Sequence, residues 1–310
     1  MTIRKKIVVT GGAGFIGSAL ANLLSVDYEV VAIDNLSSGD WSRLASSVDR
    51  RELDIATADL DDLKSVLEGA EYLCHLAAVK LHNLDNSADR VIDTNIVGTK
   101  RVLEAAGQVG VKRVLFTSSL YSYGSVGPAI MNEGDLPAPT TIYGASKLIG
   151  EQIMKNAEIR YGFSSICARL FFIYGPGQYA HGGYKSVIVK TCERLLSQLP
   201  ALINGDGKQS LDYVYIDDCT NALALLLLSE FNGVYNVSSG ESVSIAHLVK
   251  TIGGFEKCST IEFAEPDWTA NTNRFGDNTK LKADLGWRQK VPLADGLKMT
   301  WEYYSERKAK

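Results

Sequence analysis

The chain predicts an α/β fold: a doubly wound parallel sheet with a smaller mixed α/β lobe at its C-terminal end. Three observations carry the prediction. Strand and helix patterns alternate through about residue 170, as a sheet built from βαβ units requires. The first alternation turns on Gly11, Gly14 and Gly17, between the apolar run Ile7-Val8-Val9 and the helical pattern that starts at Phe15. After Gly175-Pro176-Gly177 the alternation breaks, and 310 residues are enough for a large core and a second lobe.

The elements follow in order. Ile7-Val8-Val9 reads as a short buried strand, a continuous apolar run closed by a turn. Phe15–Leu24 reads as a helix, and Glu29-Val30-Val31-Ala32-Ile33 as a strand ending in Asp34. Val114-Leu115-Phe116 is a further buried strand that runs into Thr117-Ser118-Ser119. Residues 91–107 and 143–160 read as long amphipathic helices. In the second, Ile149, Ile153 and Met154 recur at helical spacing, with Glu151, Gln152 and Lys155 between them. Gly182-Gly183 marks a mobile loop, 186–196 a helix, 211–215 a strand, and 217–228 a helix that rejoins the first domain. The expected division is 1–174 plus about 211–239 for one domain, and about 175–210 plus 240–310 for the other.

The glycine turn has the makings of a dinucleotide site. The glycines allow a tight turn, close approach of backbone to phosphate, and close packing of helix on strand. The helix N-terminus then aims unpaired N–H groups at the anion. Asp34 lies twenty residues after Gly14, where a carboxylate accepts from the ribose hydroxyls and repels a 2′-phosphate. NAD is therefore favoured over NADP. The bland alternative is a glycine-rich turn with no ligand, against which strand, turn, helix, strand and terminal acid all fall in register.

Tyr143 and Lys147 are four apart and share one helix face. A neighbouring ammonium favours phenolate, so Tyr143 is expected to have a lowered pKa and to take a proton from a substrate hydroxyl. Ser119, at the end of its strand, can bond the same oxygen. An ordinary surface Tyr–Lys pair and a turn-capping serine are the alternatives, and capping is the better reading for Ser122.

Composition excludes more than it assigns. A net charge of −4 points to neither nucleic acid nor an acidic membrane, and the apolar run 222–228 is far short of a span. The chain opens on strand-like sequence, so no leader is expected. Cys74, Cys167, Cys192, Cys219 and Cys258 are scattered without a CxxC, the pattern of reduced thiols in a cytoplasmic protein. The four histidines lack metal-ligand spacing, no metal is expected, and His75 reads as a core residue. The terminal Arg307-Lys308-Ala309-Lys310 reads as a frayed helix end.

With these residues in place, the chain resembles the extended short-chain dehydrogenase/reductase superfamily, in particular its NAD-dependent sugar-nucleotide epimerases and dehydratases. Gly11-Gly12-Ala13-Gly14-Phe15-Ile16-Gly17 matches the Rossmann fingerprint of that family, and Asp34-Asn35-Leu36-Ser37-Ser38-Gly39 its ribose loop. Asp54-Ile55 is similar to the pair beside the adenine, His75-Leu76-Ala77-Ala78 to the fourth-strand motif, and Lys80 to a lysine near the cofactor. Asn95-Ile96-Val97-Gly98-Thr99 resembles the helix that shores up the active site. The segment from Arg169 through Phe171 and Phe172 to Gly177 resembles the link between cofactor and substrate. Asp212 to Asp218, Tyr235-Asn236-Val237 and Leu285-Gly286-Trp287 are similar to later landmarks. The resemblance implies Ser119, Tyr143 and Lys147 as catalytic residues. It implies NAD contacts from Gly11, Gly14, Phe15, Ile16 and Gly17 of the fingerprint, Asp34, Asn35, Ser37 and Ser38 of the ribose loop, Asp54 and Ile55, Leu76, Ala77, Ala78 and Lys80, and Asn95, Thr117, Tyr143, Lys147 and Phe171. It also implies a homodimer through helices 91–107 and 143–160; the alternative is that both faces pack on the sheet.

Three departures bear on substrate. Phe172 stands where many relatives carry a substrate-binding Asn, Leu211 where many carry a phosphate Arg, and Pro266-Asp267 near another such Arg. Lys185, Lys208 and Arg274 are the candidate replacement cations, with Ser119, Phe172, Lys185 and Arg274 as the expected substrate contacts. The expected activity is epimerisation of a nucleotide sugar, most often at C4 in relatives. The alternatives are a dehydratase or decarboxylase, a dehydrogenase/reductase, or a non-catalytic nucleotide sensor. Leu120 and Tyr121 occupy the positions where dehydrating relatives carry Asp-Glu, which argues against elimination.

Overall fold

The computed structural model describes residues 4–80, 88–124, 130–178, 185–256, 260–267, 270 and 272–308. Gly182, Gly183, Cys258, Ala309 and Lys310 lie outside the described residues. The elements are β1 (Lys6–Thr10), α1 (Phe15–Leu24), β2 (Glu29–Asp34), β3 (Asp49–Glu52), α2 (Leu60–Leu67), β4 (Ala70–His75), α3 (Ala88–Val91), α4 (Thr99–Gln108), β5 (Arg113–Ser119), α5 (Ile142–Tyr161), β6 (Ser164–Leu170) and β7 (Phe172–Tyr174). They continue as α6 (Val187–Leu196), β8 (Ala201–Asn204), β9 (Ser210–Leu211), β10 (Tyr213–Tyr215), α7 (Ile216–Leu228), β11 (Gly233–Val237), β12 (Val243–Ser244), α8 (Ile245–Phe255), β13 (Ile261–Ala264), β14 (Asn273–Arg274), α9 (Thr279–Leu285) and α10 (Leu293–Lys308).

Seven strands form one sheet in the order β11-β6-β5-β4-β1-β2-β3, and every pair from β6 to β3 is parallel. This is the doubly wound Rossmann order, with its switch point between β1 and β4. Ile7, Val8 and Val9 of β1 are fully buried, as a strand covered on both faces must be. On one face Leu63 and Leu67 of α2, Val102 and Leu103 of α4 and Met154 of α5 join a single core with Val8, Leu73 and Phe116. α5 starts at a Thr141 cap, whose hydroxyl accepts from Gly144 N at 3.0 Å. It stops at Gly162, in the left-handed conformation at φ 79°. Edge strand β3 is Asp-Arg-Arg-Glu with all four residues exposed, and such charges keep an open edge from pairing with another chain.

The helix expected over 91–107 is not uniform. Residues 92–98 wind as a π-helix between α3 and α4. The wider turn buries Asn95 and Gly98, and such insertions recur at functional sites.

The chain forms two compact units. One comprises Met1–Gly124, Leu136–Leu170 and Thr220–Tyr235; the other comprises Ser125–Asp135, Phe171–Cys219 and Asn236–Lys310. The first is narrower than the expected 1–174 plus 211–239, because β7 and β10 pair with each other in a separate two-stranded sheet. The strand expected over 211–215 is divided by Asp212: β9 joins a three-stranded sheet between β12 and β14, and β10 joins β7. The Asp212 carboxylate accepts from Ser239 N at 2.7 Å, Gly240 N at 3.0 Å and Gly276 N at 3.2 Å. Burial nonetheless pushes its pKa up to about 6, against those bonds.

Candidate active site

The glycine turn lies at the switch point. Gly11 has φ +69°, and a methyl there would sit 2.8 Å from Ala77 N; a methyl on Gly17 would sit 2.0 Å from the Gly11 carbonyl oxygen. Only hydrogen fits at either position, so α1 begins hard against the turn. Gly14 caps α1 without a side-chain bond, and no acid stands in the first turn. The leading amides, at half-buried Phe15 and Ile16, are therefore left for an anion, which fits a dinucleotide pyrophosphate.

Asp34 has a structural task besides the expected one. Its Oδ2 accepts from Ala13 N at 3.0 Å and its Oδ1 from Leu36 N at 2.8 Å. It thus ties the glycine turn to the following loop, where Leu36 takes φ 57°. A carboxylate offers about four lone-pair sites, so capacity for a ribose remains. Asn35 accepts from Ser37 N at 3.1 Å and donates to Asp54 Oδ2 at 3.0 Å. Ser37 and Ser38 are exposed, whereas Ile55 is buried beneath Gly98.

Beyond β4, Leu76 and Ala77 are half-buried and Ala78 and Lys80 exposed; Lys80 Nζ lies 5.6 Å from the Tyr121 ring centre. Asn95, expected at the cofactor, spends its amide on protein. It accepts from Val79 N at 2.7 Å and donates to Val79 O and Ser146 Oγ, both at 3.0 Å. It positions the strand-end loop and α5. His75 is the expected core residue, between Thr10 Oγ1 at 2.6 Å and Thr99 Oγ1 at 2.9 Å, and burial lowers its pKa to about 3.

Ser119, Tyr143 and Lys147 come together where β5 meets α5. The Ser119 side chain hydrogen-bonds Tyr143 and also accepts from Tyr121 N at 3.3 Å, so it caps a turn as well. Lys147 Nζ donates to Thr117 O at 2.8 Å and lies 6.0 Å from the Tyr143 ring centre. Ser122, read as a turn serine, sits in the turn after β5 with its hydroxyl 3.2 Å from that of Ser118. The electrostatics differ from expectation. Burial pushes the Tyr143 phenol up to about 12, with only the Ser119 bond acting the other way. Burial likewise lowers Lys147 to about 7, opposed by the charge of Glu151. For the phenol, loss of water outweighs the Ser119 bond.

The second unit places the remaining candidates. Phe171 is buried, its N–H bonded to Val237 O at 3.2 Å. Phe172 is half-buried, its ring 6.0 Å from that of Tyr213. Arg274 is buried on β14 in register with Leu211 of β9. Lys185 pairs with Glu193 at 2.7 and 2.8 Å, and exposed Lys208 pairs with Asp206 at 2.9 Å. Sequence reading passed over the buried Glu151–Arg169 pair beneath the Tyr–Lys couple; its signal is an acid four residues after Lys147. Among the described residues no group of His, Cys, Asp and Glu could hold a metal, and no helix is long and apolar enough to cross a membrane.

Comparison with known proteins bears on this site. A UDP-glucose 4-epimerase from Mycolicibacterium smegmatis is 34% identical over 314 residues, covering 97% of this chain and 99% of the relative. The solved UDP-glucose 4-epimerase of Thermotoga maritima with UDP-glucose has 32% identity and a TM-score of 0.89, over 98% of this chain and 100% of that one. A UDP-N-acetylglucosamine 4-epimerase from Methanobrevibacter ruminantium M1, in complex with UDP-N-acetylmuramic acid, has 28% identity and a TM-score of 0.90, over 99% and 100%. The family model that matches spans residues 7–238; it takes in the glycine turn, Asp34 and the Ser119–Tyr143–Lys147 cluster, and the chain belongs to the NAD dependent epimerase/dehydratase family.

Proposed function

We propose that this protein is a nucleotide-sugar epimerase that inverts C4 of a UDP-sugar with NAD as its cofactor. The observation that carries the reading is the Ser119–Tyr143–Lys147 cluster at the end of β5, in the same unit as a glycine turn that fits a pyrophosphate. Tyr143 Oη takes the proton of the sugar hydroxyl, Ser119 holds that oxygen, and Lys147 supplies positive charge as the phenol ionises. NAD, when bound, would supply reversible hydride transfer at the sugar carbon and a cationic ring beside the phenol. Gly11, Gly14, Gly17 and Asp34 hold the cofactor. Of the expected substrate contacts, Phe172 offers an apolar face, and Arg274, the register partner of Leu211, is the candidate cation for a diphosphate. Against dehydration, Leu120 and Tyr121 are buried and carry no acid.

The test is incubation with UDP-, GDP-, CDP- and dTDP-sugars, with products resolved by NMR. A UDP-sugar should reach equilibrium with its C4 epimer without added reductant. A deoxy keto sugar, or no exchange with any donor, would overturn the reading.

Two expectations follow. Asp34→Asn keeps an acceptor for a backbone N–H but loses the charge. NAD affinity should fall about tenfold, the order of one charged hydrogen bond, and NADP should gain on NAD; calorimetric titration with both checks this, and unchanged discrimination refutes it. We further propose a homodimer through residues 91–107 and α5, in a cytoplasmic protein. Ile92, Val97 and Ile149 are exposed on that face, beside a groove lined by Lys100, Leu148, Gln152, Ile153 and Asn156. Sedimentation should find a dimer that Ile149→Asp converts to monomer.

A further inference from the structure

The end of β5 is tied to one stripe of α5 residue by residue. Ser119 bonds Tyr143, the Thr117 carbonyl accepts from Lys147 Nζ, and Ser118 donates its hydroxyl to Glu151 Oε1. The helix partners fall at four-residue steps and so share a face. Glu151 also receives a fork from Arg169 of β6, Nε to Oε1 at 2.9 Å and Nη2 to Oε2 at 2.7 Å. The two side chains are 5% and 4% exposed, and the guanidinium lies 4.5 Å from the Tyr123 ring centre. A buried ion pair loses hydration on both partners, and apolar residues of equal volume commonly pack as well or better. Packing alone does not account for this pair.

Lys147 is what the pair stands beside. Facing Lys147 are Tyr143 and Glu151 from its own helix, and the Thr117 carbonyl and the Phe116 ring, 5.0 Å away, from β5. His75 on β4 is held neutral by burial. On β6 stand Arg169 and Cys167, whose thiol burial keeps protonated. Of these groups Glu151 alone carries negative charge. We propose that Glu151, fixed by Arg169 and Ser118, is a positioning residue that sets a negative charge one helical turn from Lys147, favouring its charged form, and holds residues 117–119 against α5. The opposing effects of burial and of Glu151 on Lys147 support this. Its purpose rests on the function proposed above, but its measurement does not.

The test uses the NAD-loaded enzyme with isotope-labelled lysine. The Lys147 side-chain resonance, assigned by its loss in Lys147→Arg, is titrated by NMR without substrate. Glu151→Gln keeps the shape and the Ser118 bond but not the charge. Lys147 should then titrate about one pH unit lower, a tenfold change in its ionisation, and Glu151→Asp should restore it. In turnover of UDP-glucose, the alkaline limb of kcat should move the same way, with KM and NAD affinity within about twofold. An unmoved Lys147 titration in folded Glu151→Gln overturns the proposal, as does activity lost equally at every pH. Failure of wild-type turnover with a shifted titration would instead count against the assigned substrate. If Glu151→Gln does not fold, Ser118→Ala carries the positioning half: kcat lowered severalfold at constant KM supports it, and wild-type kcat overturns it.

Discussion

Tyr143→Phe is expected to lower sugar-nucleotide turnover by about a hundred- to ten-thousand-fold, the usual worth of a general base, while NAD stays bound. The substitution removes one hydroxyl and keeps the ring, which packs edge-on to Tyr121 at 5.9 Å. Cofactor affinity and thermal stability should therefore change little. The electrostatics make the loss severe. With its pKa pushed to about 12, the phenol is protonated at neutral pH until positive charge is brought close, and then its oxygen receives the substrate proton. Lys147, itself near 7, is charged on the acid side of neutrality and loses that charge as pH rises. Activity of the wild-type enzyme should accordingly fall on the alkaline side. Turnover rates and NAD retention across pH decide the matter; activity of Tyr143→Phe within a few-fold of wild type would sink the assignment of the base.

What sequence made legible were features fixed by short-range geometry. Gly11, Gly14, Gly17 and Asp34 act within one strand–turn–helix–strand unit, so their spacing carries their placement. Tyr143 and Lys147 share a helix face for the same reason. What stayed hidden depends on partners far along the chain. β3 is built of four charged residues and forms because β2 offers its edge, with Val31 in register with Asp49, not because of any apolar pattern. The π-helical turn at Asn95 answers to Val79 and Ser146. The break at Asp212 answers to amides near 239 and 276. Glu151 looks like a solvated helix residue until Arg169 is brought across from β6. The direction of the Tyr143 shift depends on lost water, which residue spacing does not record.

Gly17→Ala is expected to weaken NAD binding by at least about tenfold and to destabilise the fold by about 1–3 kcal/mol, as overpacking does. Helix propensity alone predicts the opposite sign, since Ala exceeds Gly by about 1 kcal/mol within a helix. The local geometry reverses it. The new methyl would lie 2.0 Å from the Gly11 oxygen and 2.8 Å from its carbonyl carbon. Gly11 cannot retreat, because its own Cα already faces Ala77 N and its φ is positive. Its carbonyl also accepts from Gly14 N at 3.1 Å. The turn must therefore open, moving the amides that would cradle the pyrophosphate. Gly254 in α8 provides the control, for a methyl there meets nothing within 4 Å, and Gly254→Ala should be neutral or mildly stabilising. Thermal unfolding and calorimetric NAD titration of the two variants separate the effects. If Gly17→Ala gained stability as Gly254→Ala does, and bound NAD as tightly as wild type, the close packing of α1 on the glycine turn would not be what shapes the cofactor site.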